Sequence, residues 1–370
     1  MGGITRRRLG LGAGAGAGLA ATTAAAMSGA ARAGDAAVIS LGFIYEQAPY
    51  PQCHASTIVE TSGGVMAAAW FGGTHEKHPD VCIWFARFEN GAWGEGVQLA
   101  DGVQLDGSRH PTWNPVLFQP PKGDLILFYK VGPDPFNWWG MVMTSPDGGQ
   151  TWSAPRRLPD GVLGPIKNKP VVLADGTWVS PSSTEAGEGM GAAAGAGWRL
   201  HFEISRDQGR HWSLTDPVES PLNIDAIQPS ILIHPNGALQ AVARARQGAL
   251  ASSWSHDGGR TWSALGAVDL PNPNSGTDAS TLSDGRHLMI YNHAGHEPDR
   301  PGRGPRYPLN VGLSDDGLSW RNVLTLESEP LVHGYAYPAV VQASDGLVHV
   351  TYTHDRTRIR HVILDPARLA

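Results

Sequence analysis

Six segments of this chain place polar side chains directly before a short apolar run. The polar residues at these six openings are His54, Asn114, Asn168, Lys169, Gln228, Asp278 and Tyr337. A buried strand needs no polar residue at its start, so six such openings in one chain predict a shared pocket. Among these residue types, His, Tyr and Asp can transfer protons, and Tyr can also act as a nucleophile.

Cationic residues follow the second apolar run of several of these units. They are Lys130, Arg244, Arg246 and Arg356, and residues 182–185 supply a Ser-Ser-Thr-Glu run at the corresponding place in the third unit. The whole chain nevertheless carries a formal net charge of −6. Because the guanidinium group binds carboxylates in a bidentate manner, these cations predict a carboxylate-bearing ligand. The acidic balance argues against nucleic acid as a partner.

The openings must be positioned by a repeated unit of strand, turn and strand. Asp-Gly, Asn-Gly or similar turns follow the first apolar run at residues 62–64, 122–124, 175–176, 236–237, 284–285 and 345–346. The units recur about every 50–60 residues, which predicts an all-β, six-bladed β-propeller with four antiparallel strands per blade. Residues 34–370 form this single domain, and Val38–Phe43 is expected to complete the last blade. Because the first strand of each blade lines the axis, the openings should converge at one mouth.

A second repeat marks the outer hairpins of the blades. The pattern Ser-x-Asp-x-Gly-x-x-Trp occurs at residues 145–152, 205–212 and 255–262, and a copy one residue shorter occupies residues 314–320. In such a turn the Asp carboxylate accepts backbone N–H bonds and the Gly adopts a positive φ. The Trp then packs the turn against the fold.

The N-terminal residues 1–33 are predicted to be a targeting segment and not part of the domain. Arg6, Arg7 and Arg8 precede an Ala/Gly/Leu-rich stretch, and Ala31-Arg32-Ala33 offers a cleavage site. The pattern is typical of a twin-arginine signal, with an ordinary secretory signal as the alternative. Either signal places the mature protein in the periplasm or outside the cell. No membrane span, metal or cofactor is predicted, and a monomer is expected.

Only two cysteines, Cys53 and Cys82, are present. Two cysteines do not make a disulfide scaffold, but this pair could join after export.

The Ser-x-Asp-x-Gly-x-x-Trp repeats and the blade number resemble the sialidase (neuraminidase) superfamily, in which this turn is called the Asp-box. The chain is most similar to bacterial proteins labelled predicted neuraminidases. The resemblance implies that Tyr337 is the nucleophile and that Asp80 or Glu76 is the acid/base. It further implies that Arg306 and either Arg244 or Arg246 belong to the arginine triad that holds the substrate carboxylate.

Two positions depart from the sialidase pattern. His54 stands where the family has its first triad arginine, and Gln228 stands where it has the Glu that assists the nucleophile. Gln cannot act as a general base. A His at that position, with an ordinary pKa of about 6.5, can act as a base instead.

Three functions follow as expectations. The first is an exported sialidase-like glycoside hydrolase that removes a terminal acidic sugar. The second is a polysaccharide lyase or rhamnosidase-like enzyme that acts on uronate-containing glycans through His54. The third is a carbohydrate-binding propeller without catalysis, because a fold alone does not imply activity.

Overall fold

The structure, a computed structural model, describes residues 35–185, 197–300 and 302–370. Over these residues the chain forms 25 strands in six antiparallel sheets, and helix is confined to two short 3-10 turns, Asp35–Ala37 and Pro366–Arg368. The sheets follow one another in a ring, so the predicted six-bladed β-propeller is confirmed. The predicted targeting segment, residues 1–33, lies outside the described residues.

Each blade except the last takes its strands from one continuous stretch of chain. The first strand in sequence is β1 (Val38–Phe43). Blade 1 contains β2 (Gln52–Glu60), β3 (Met66–Gly73), β4 (Cys82–Glu89), β5 (Ala92–Trp93) and β6 (Val97–Ala100). Blade 2 contains β7 (Thr112–Phe118), β8 (Leu125–Val131), β9 (Trp139–Ser145) and β10 (Arg156–Arg157). Blade 3 contains β11 (Val171–Val172), β12 (Trp178–Thr184), β13 (Arg199–Ser205) and β14 (Ser213–Leu214).

The remaining blades repeat this order. Blade 4 contains β15 (Ala226–Ile233), β16 (Leu239–Ala245), β17 (Ala249–Ser255) and β18 (Gly266–Pro271). Blade 5 contains β19 (Asp278–Thr281), β20 (His287–Asn292), β21 (Leu309–Ser314) and β22 (Arg321–Glu327). Blade 6 contains β23 (Tyr335–Gln342), β24 (Val348–His354) and β25 (Arg358–Leu364), with β1 as its fourth strand. In blade 1 the fourth position is shared by β5 and β6, which both pair with β4.

Strand β1 closes the ring. It pairs antiparallel with β25, with Val38 opposite Leu364 and Phe43 opposite Arg360. The prediction that Val38–Phe43 completes the last blade is therefore confirmed.

The Asp-box turns join the third and fourth strands of blades 2 to 5, at the end of the propeller opposite the openings. In the first box, Asp147 accepts hydrogen bonds from the hydroxyl of Ser145 (2.9 Å) and the backbone N–H of Thr151 (2.8 Å). Gly149 has φ +92°, and a Cβ there would lie 2.3 Å from a ring carbon of Phe85 in blade 1. The motif thus needs both its Asp and its Gly.

The Trp of each full box packs against the preceding blade. The ring centroid of Trp262 in blade 4 stacks 3.7 Å from that of Phe202 in blade 3. Trp152 in blade 2 lies edge-on to Phe85 in blade 1, at 5.4 Å. The repeat therefore does more than close a hairpin, because each copy also joins two neighbouring blades.

The inner strands are buried along their length because each blade lies between two others. Strands β3 and β8 are buried at every residue. No helix in the described part of the chain is long and apolar enough to cross a membrane.

Cys53 and Cys82, for which the sequence left pairing open, do not form a disulfide. Both thiols are buried and free, and both residues lie opposite Gly72, because β3 runs between β2 and β4. Adjacent strands are about 4.8 Å apart, so the two backbones are separated by about 9–10 Å, which is too far for a disulfide.

Candidate active site at the propeller mouth

A β-bulge recurs where the first strand of four blades begins, at the end of the propeller that we call the mouth. The bulges lie between His54 and Thr57, Trp113 and Val116, Ile227 and Ser230, and Ala336 and Ala339. Within them the residues with positive φ are Ala55 (55°), Asn114 (36°), Gln228 (59°) and Tyr337 (50°). Asn114, Gln228 and Tyr337 therefore occupy equivalent positions, and a Pro follows each of them in the sequence.

Tyr337 is the point at which the predicted residues meet. Its phenol oxygen accepts a hydrogen bond from Nε2 of Gln228 at 3.1 Å and from Nη1 of Arg244 at 3.2 Å. The residue is buried, with 8% of its surface exposed. Two donors on one oxygen stabilise negative charge there, which suits both a nucleophile and a base.

His54 lies directly against this tyrosine. The two ring centroids are 4.2 Å apart, and Nδ1 of His54 is 3.0 Å from the hydroxyl oxygen of Thr353. Burial lowers the pKa of His54 well below its ordinary value, and the nearby Arg356, Arg306, Arg244 and Lys167 lower it further. The imidazole is therefore neutral at physiological pH.

Cations surround the Tyr337 ring. Its centroid lies 5.6 Å from Nζ of Lys167, 5.7 Å from Cζ of Arg244 and 6.0 Å from Cζ of Arg306. Burial lowers the pKa of Arg306 to about 10, so this group remains charged at neutral pH. The structure thus brings together five of the predicted residues, Tyr337, His54, Gln228, Arg244 and Arg306, and adds Lys167.

Arg246 lies beside Arg244, over the indole ring of Trp198. Its Cζ lies 4.1 Å from the ring centroid of Trp198, and Cζ of Arg244 lies 5.2 Å from the same centroid. The two arginines therefore share Trp198, and Arg244 is the one that contacts the tyrosine.

Lys169 and Asp278 form an ion pair across the axis, at 3.3 Å. The carboxylate of Asp278 also accepts hydrogen bonds from the hydroxyl of Ser230 (2.9 Å) and the N–H of Val340 (2.9 Å). Asp278 thereby joins blades 3, 4, 5 and 6. Its oxygens are occupied by the protein, which favours a bracing role over the predicted binding of substrate. Asn114 is buried beside the mouth of blade 2.

Lys167 makes a second connection across the axis, which the sequence did not indicate. Its amine donates to Oδ1 of Asn168 (2.8 Å), the carbonyl of Thr277 (2.9 Å) and the carbonyl of Pro338 (2.6 Å). The amide of Asn168 donates in turn to the carbonyl of Gln228 at 3.1 Å. These bonds hold the backbone at Gln228 and at Pro338, which follows Tyr337. They therefore position both of the residues that are hydrogen-bonded to each other at the mouth.

Lys130 does not reach the mouth. Its side chain is fully buried, and its amine donates to the carbonyl of Pro165 between blades 2 and 3. Burial lowers its pKa to about 7, and Glu203 opposes that shift. The predicted role in substrate binding is therefore replaced by support of the loop at residues 162–166. The prediction failed because alternate residues of a strand face opposite sides.

The two carboxylates predicted as acid/base have different surroundings. Glu76 forms an ion pair with Nη1 of Arg356 at 2.6 Å, which places both beside the mouth. Asp80 lies 2.7 Å from Nδ1 of His78 and accepts hydrogen bonds from the N–H (3.0 Å) and the hydroxyl (2.6 Å) of Thr74. Slight burial raises the pKa of Asp80, but the bonds from Thr74 and His78 outweigh it, and the pKa is lowered overall. A lowered pKa suits an acid poorly.

Glu185 is a third carboxylate at the mouth, directly after β12. Burial raises its pKa, while Arg244, Arg246 and Lys77 oppose this and Glu76 adds to it. A carboxyl group with a raised pKa is suited to donate a proton. The sequence places Glu185 at the end of a second strand, but the burial that distinguishes it is visible only in the fold.

The ring of six four-stranded blades, the Asp-boxes and the cationic mouth define a sialidase-type β-propeller. The chain belongs to the family of BNR repeat-like domains, whose family model matches residues 64–350. No curated protein is significantly similar in sequence. The membership predicted from the repeats is therefore confirmed.

Solved structures share this fold at low sequence identity. A protein of unknown function from Dyadobacter fermentans has a TM-score of 0.71 at 17% identity, over 88% of this chain and 98% of that one. The NanB sialidase of Streptococcus pneumoniae has a TM-score of 0.67 at 14% identity, over 89% of this chain and 71% of that one. The intramolecular trans-sialidase of Ruminococcus gnavus has a TM-score of 0.64 at 15% identity, over 92% of this chain and 99% of that one. These likenesses establish the fold.

Proposed function

We propose that this protein is an exported glycoside hydrolase that cleaves a terminal carboxylate-bearing sugar from glycans. The observation that carries the proposal is the Tyr337 oxygen, which accepts hydrogen bonds from Gln228 and Arg244 among several cations. Arg306 and Arg244 supply positive charge for the sugar carboxylate. Export rests on the predicted N-terminal signal.

In the first step of this reaction, the Tyr337 oxygen, after releasing its proton to solvent, bonds to the anomeric carbon. The bond from that carbon to the leaving oxygen breaks, and Glu185 gives the leaving oxygen its proton. In the second step, a water gives a proton back to Glu185 while its oxygen bonds to the anomeric carbon. The bond to Tyr337 then breaks, and the free acidic sugar is released.

One observation favours β-elimination as a second candidate. Gln228 replaces the carboxylate that assists a nucleophilic Tyr, and neutral His54 lies against the Tyr337 ring. On a uronate, neutral His54 would take the proton next to the carboxylate. The bond to the leaving oxygen would break with formation of a carbon–carbon double bond, and the hydroxyl of Tyr337 would protonate that oxygen.

Product mass spectrometry in ¹⁸O-labelled water separates these reactions. The purified protein is incubated with sialylated and with uronate-containing oligosaccharides. Hydrolysis adds one labelled oxygen to the released acidic sugar, whereas elimination adds none and leaves an unsaturated uronate. Cleavage should disappear in Tyr337→Phe and persist in Tyr335→Phe, a matched buried tyrosine two residues away. Binding of an acidic glycan without cleavage would instead identify a binding propeller.

A further inference from the structure

The hydroxyl of Thr353, on β24 of blade 6, contacts His54 and Ala55 of blade 1. Its oxygen lies 3.0 Å from Nδ1 of His54 and 3.1 Å from the backbone nitrogen of Ala55. The β-bulge leaves Ala55 without a partner in the register of β2 with β3, so its N–H is free for this bond. Thr353 is buried, and these are the two hydrogen-bonding neighbours of its hydroxyl among the described residues.

The single proton of this hydroxyl determines which nitrogen of His54 is protonated. The N–H of Ala55 can only donate, so the hydroxyl oxygen accepts from it. The hydroxyl proton then has one acceptor within reach, which is Nδ1 of His54. If Nδ1 carried a proton instead, the buried hydroxyl proton would have no acceptor, which is unfavourable. Because the lowered pKa keeps the imidazole neutral, its one proton is on Nε2.

The Nε2–H group of His54 is available to a ligand. Among residues 35–185, 197–300 and 302–370, no group is hydrogen-bonded to Nε2, and Nε2 is not one of their buried unpaired atoms. The small exposed part of His54, 1% of its surface, therefore includes Nε2. The imidazole centroid lies 4.2 Å from that of the Tyr337 ring, so this N–H can donate to a ligand bound beside Tyr337.

We propose that Thr353 is a positioning residue that makes His54 a hydrogen-bond donor, through Nε2–H, to an oxygen of the bound sugar. The inference rests on the proposed function for the identity of the ligand. A neutral donor adds a hydrogen bond without adding another charge to the cations around Tyr337. The lone pair of the imidazole faces Thr353, so His54 is not the base that elimination requires, and hydrolysis is favoured.

The position of the proton can be measured on the protein without ligand. Long-range ¹H–¹⁵N NMR of protein labelled at histidine distinguishes a protonated ring nitrogen from an unprotonated one, and His54→Gln identifies the signals. Nε2 should be protonated in the wild-type protein and in Thr353→Ser. In Thr353→Val the two ¹⁵N shifts should move towards each other, because the tautomer loses its support. Thr351→Val is the matched control, since Thr351 is buried on the same strand and its hydroxyl has no partner among the described residues.

The donor role can be measured as kcat/KM on the cleaved substrate. The side-chain amide nitrogen of Gln can take the place of Nε2, whereas that of Asn is too short to do so. His54→Gln and His54→Asn should both lower kcat/KM, and the loss should be about tenfold smaller for His54→Gln. Thr353→Val should lower kcat/KM about tenfold, Thr353→Ser should restore most of this loss, and Thr351→Val should have no effect.

Each outcome decides the proposal. Protonation of Nδ1 in the wild-type protein would overturn it and would favour His54 as the base of an elimination. Equal losses of kcat/KM in His54→Gln and His54→Asn would also overturn it, since a base is lost in both variants. If no acidic sugar is bound or cleaved, the proposed function falls and the donor role towards a sugar falls with it. The NMR measurement would still decide the tautomer, so the two failures are distinguishable.

Discussion

The side-chain nitrogen of Gln228 lies 3.1 Å from the phenol oxygen of Tyr337, and both residues have positive φ at the same bulge position of their blades. Oε1 of Gln228 is buried without a hydrogen-bond partner among the described residues. The amide therefore holds the tyrosine oxygen, but it cannot remove its proton.

Gln228→Glu should raise the rate of hydrolysis. Glu has the same shape, and its carboxylate would take the Tyr337 proton as a general base, which is worth about tenfold or more in kcat. The measurement is kcat at neutral pH on the substrate found by product analysis. Gln240→Glu is the control, since Gln240 is equally buried but donates to the carbonyl of Gly317. A fall in kcat for Gln228→Glu would show that the donated N–H matters more than a base.

Lys167→Met should lower both activity and stability. The substitution removes the bond to the Pro338 carbonyl that fixes Tyr337, and it leaves three buried oxygens without this donor, which destabilises the fold. We expect kcat/KM, measured well below the lowered Tm, to fall about a hundredfold. Partial rescue of Lys167→Ala by added ethylamine would support positioning by the amine itself.

Lys130→Met provides the comparison for Lys167→Met. Burial lowers the pKa of both lysines to about 7, but Lys130 supports the loop near Pro165. Its replacement should leave kcat/KM unchanged. Equal losses of activity in the two variants would contradict a specific role for Lys167.

Stability should fall as the pH drops below about 6.5. Burial and the neighbouring His349 lower the pKa of His361 to about 3. As the pH falls through about 6.5, the unfolded chain binds a proton at His361 and the folded chain does not. The free energy of unfolding therefore has its full value above that pH and decreases on acidification. At pH 4.5 His361 alone should cost about 3 kcal/mol. Urea denaturation at pH 7.5, 5.5 and 4.5 measures the effect.

Two variants test the assignment of this acid sensitivity. His361→Gln should flatten the dependence of the unfolding free energy on pH. His211→Gln should not, because the His211 side chain is 90% exposed. If the unfolding free energy of His361→Gln depended on pH as steeply as that of the wild-type protein, His361 would not be the source of the acid sensitivity.

Both cysteines should remain thiols under oxidising conditions. Cys53 and Cys82 are separated by the intervening strand β3, so a bridge would require that strand to move. Intact mass after treatment with oxidised glutathione, followed by alkylation in denaturant, should show two modified thiols. A species lacking two hydrogens and resistant to alkylation would contradict the strand register.

Much of the fold was predictable because its signals are local. The Asp-box needs Ser, Asp, Gly and Trp within one turn, and Asn-Pro, Gln-Pro and Tyr-Pro at the bulges mark Asn114, Gln228 and Tyr337 as equivalent. The recurrence of these signals fixes the number of blades. Tyr337 could be placed at the mouth for the same reason, whereas Arg306 was expected there only from the resemblance to the sialidase superfamily and Arg244 was not separated from Arg246.

The rest of the site depends on which face of a strand a residue occupies. Lys130 and Lys167 both fall near the predicted mouth in the sequence, yet one supports the loop at residues 162–166 and the other crosses the axis. Glu185 acquires its raised pKa from burial, which outweighs the opposing effect of arginines from another blade, and no local pattern records either influence. The separation of the cysteines likewise follows from strand order.

The pairing of β1 with β25 means that the two ends of the domain already lie together. The N–H of Asp365 donates to the carbonyl of Ala37 at 2.8 Å, and Arg368 donates to the carbonyl of Ala36 at 3.1 Å. The N-terminal and C-terminal strands of the domain therefore meet inside blade 6, and not at a boundary between two blades. A circular permutant that links these ends and opens the chain at the β4–β5 turn would keep every strand pair. The position at which the chain begins is thus separable from the closure of the ring.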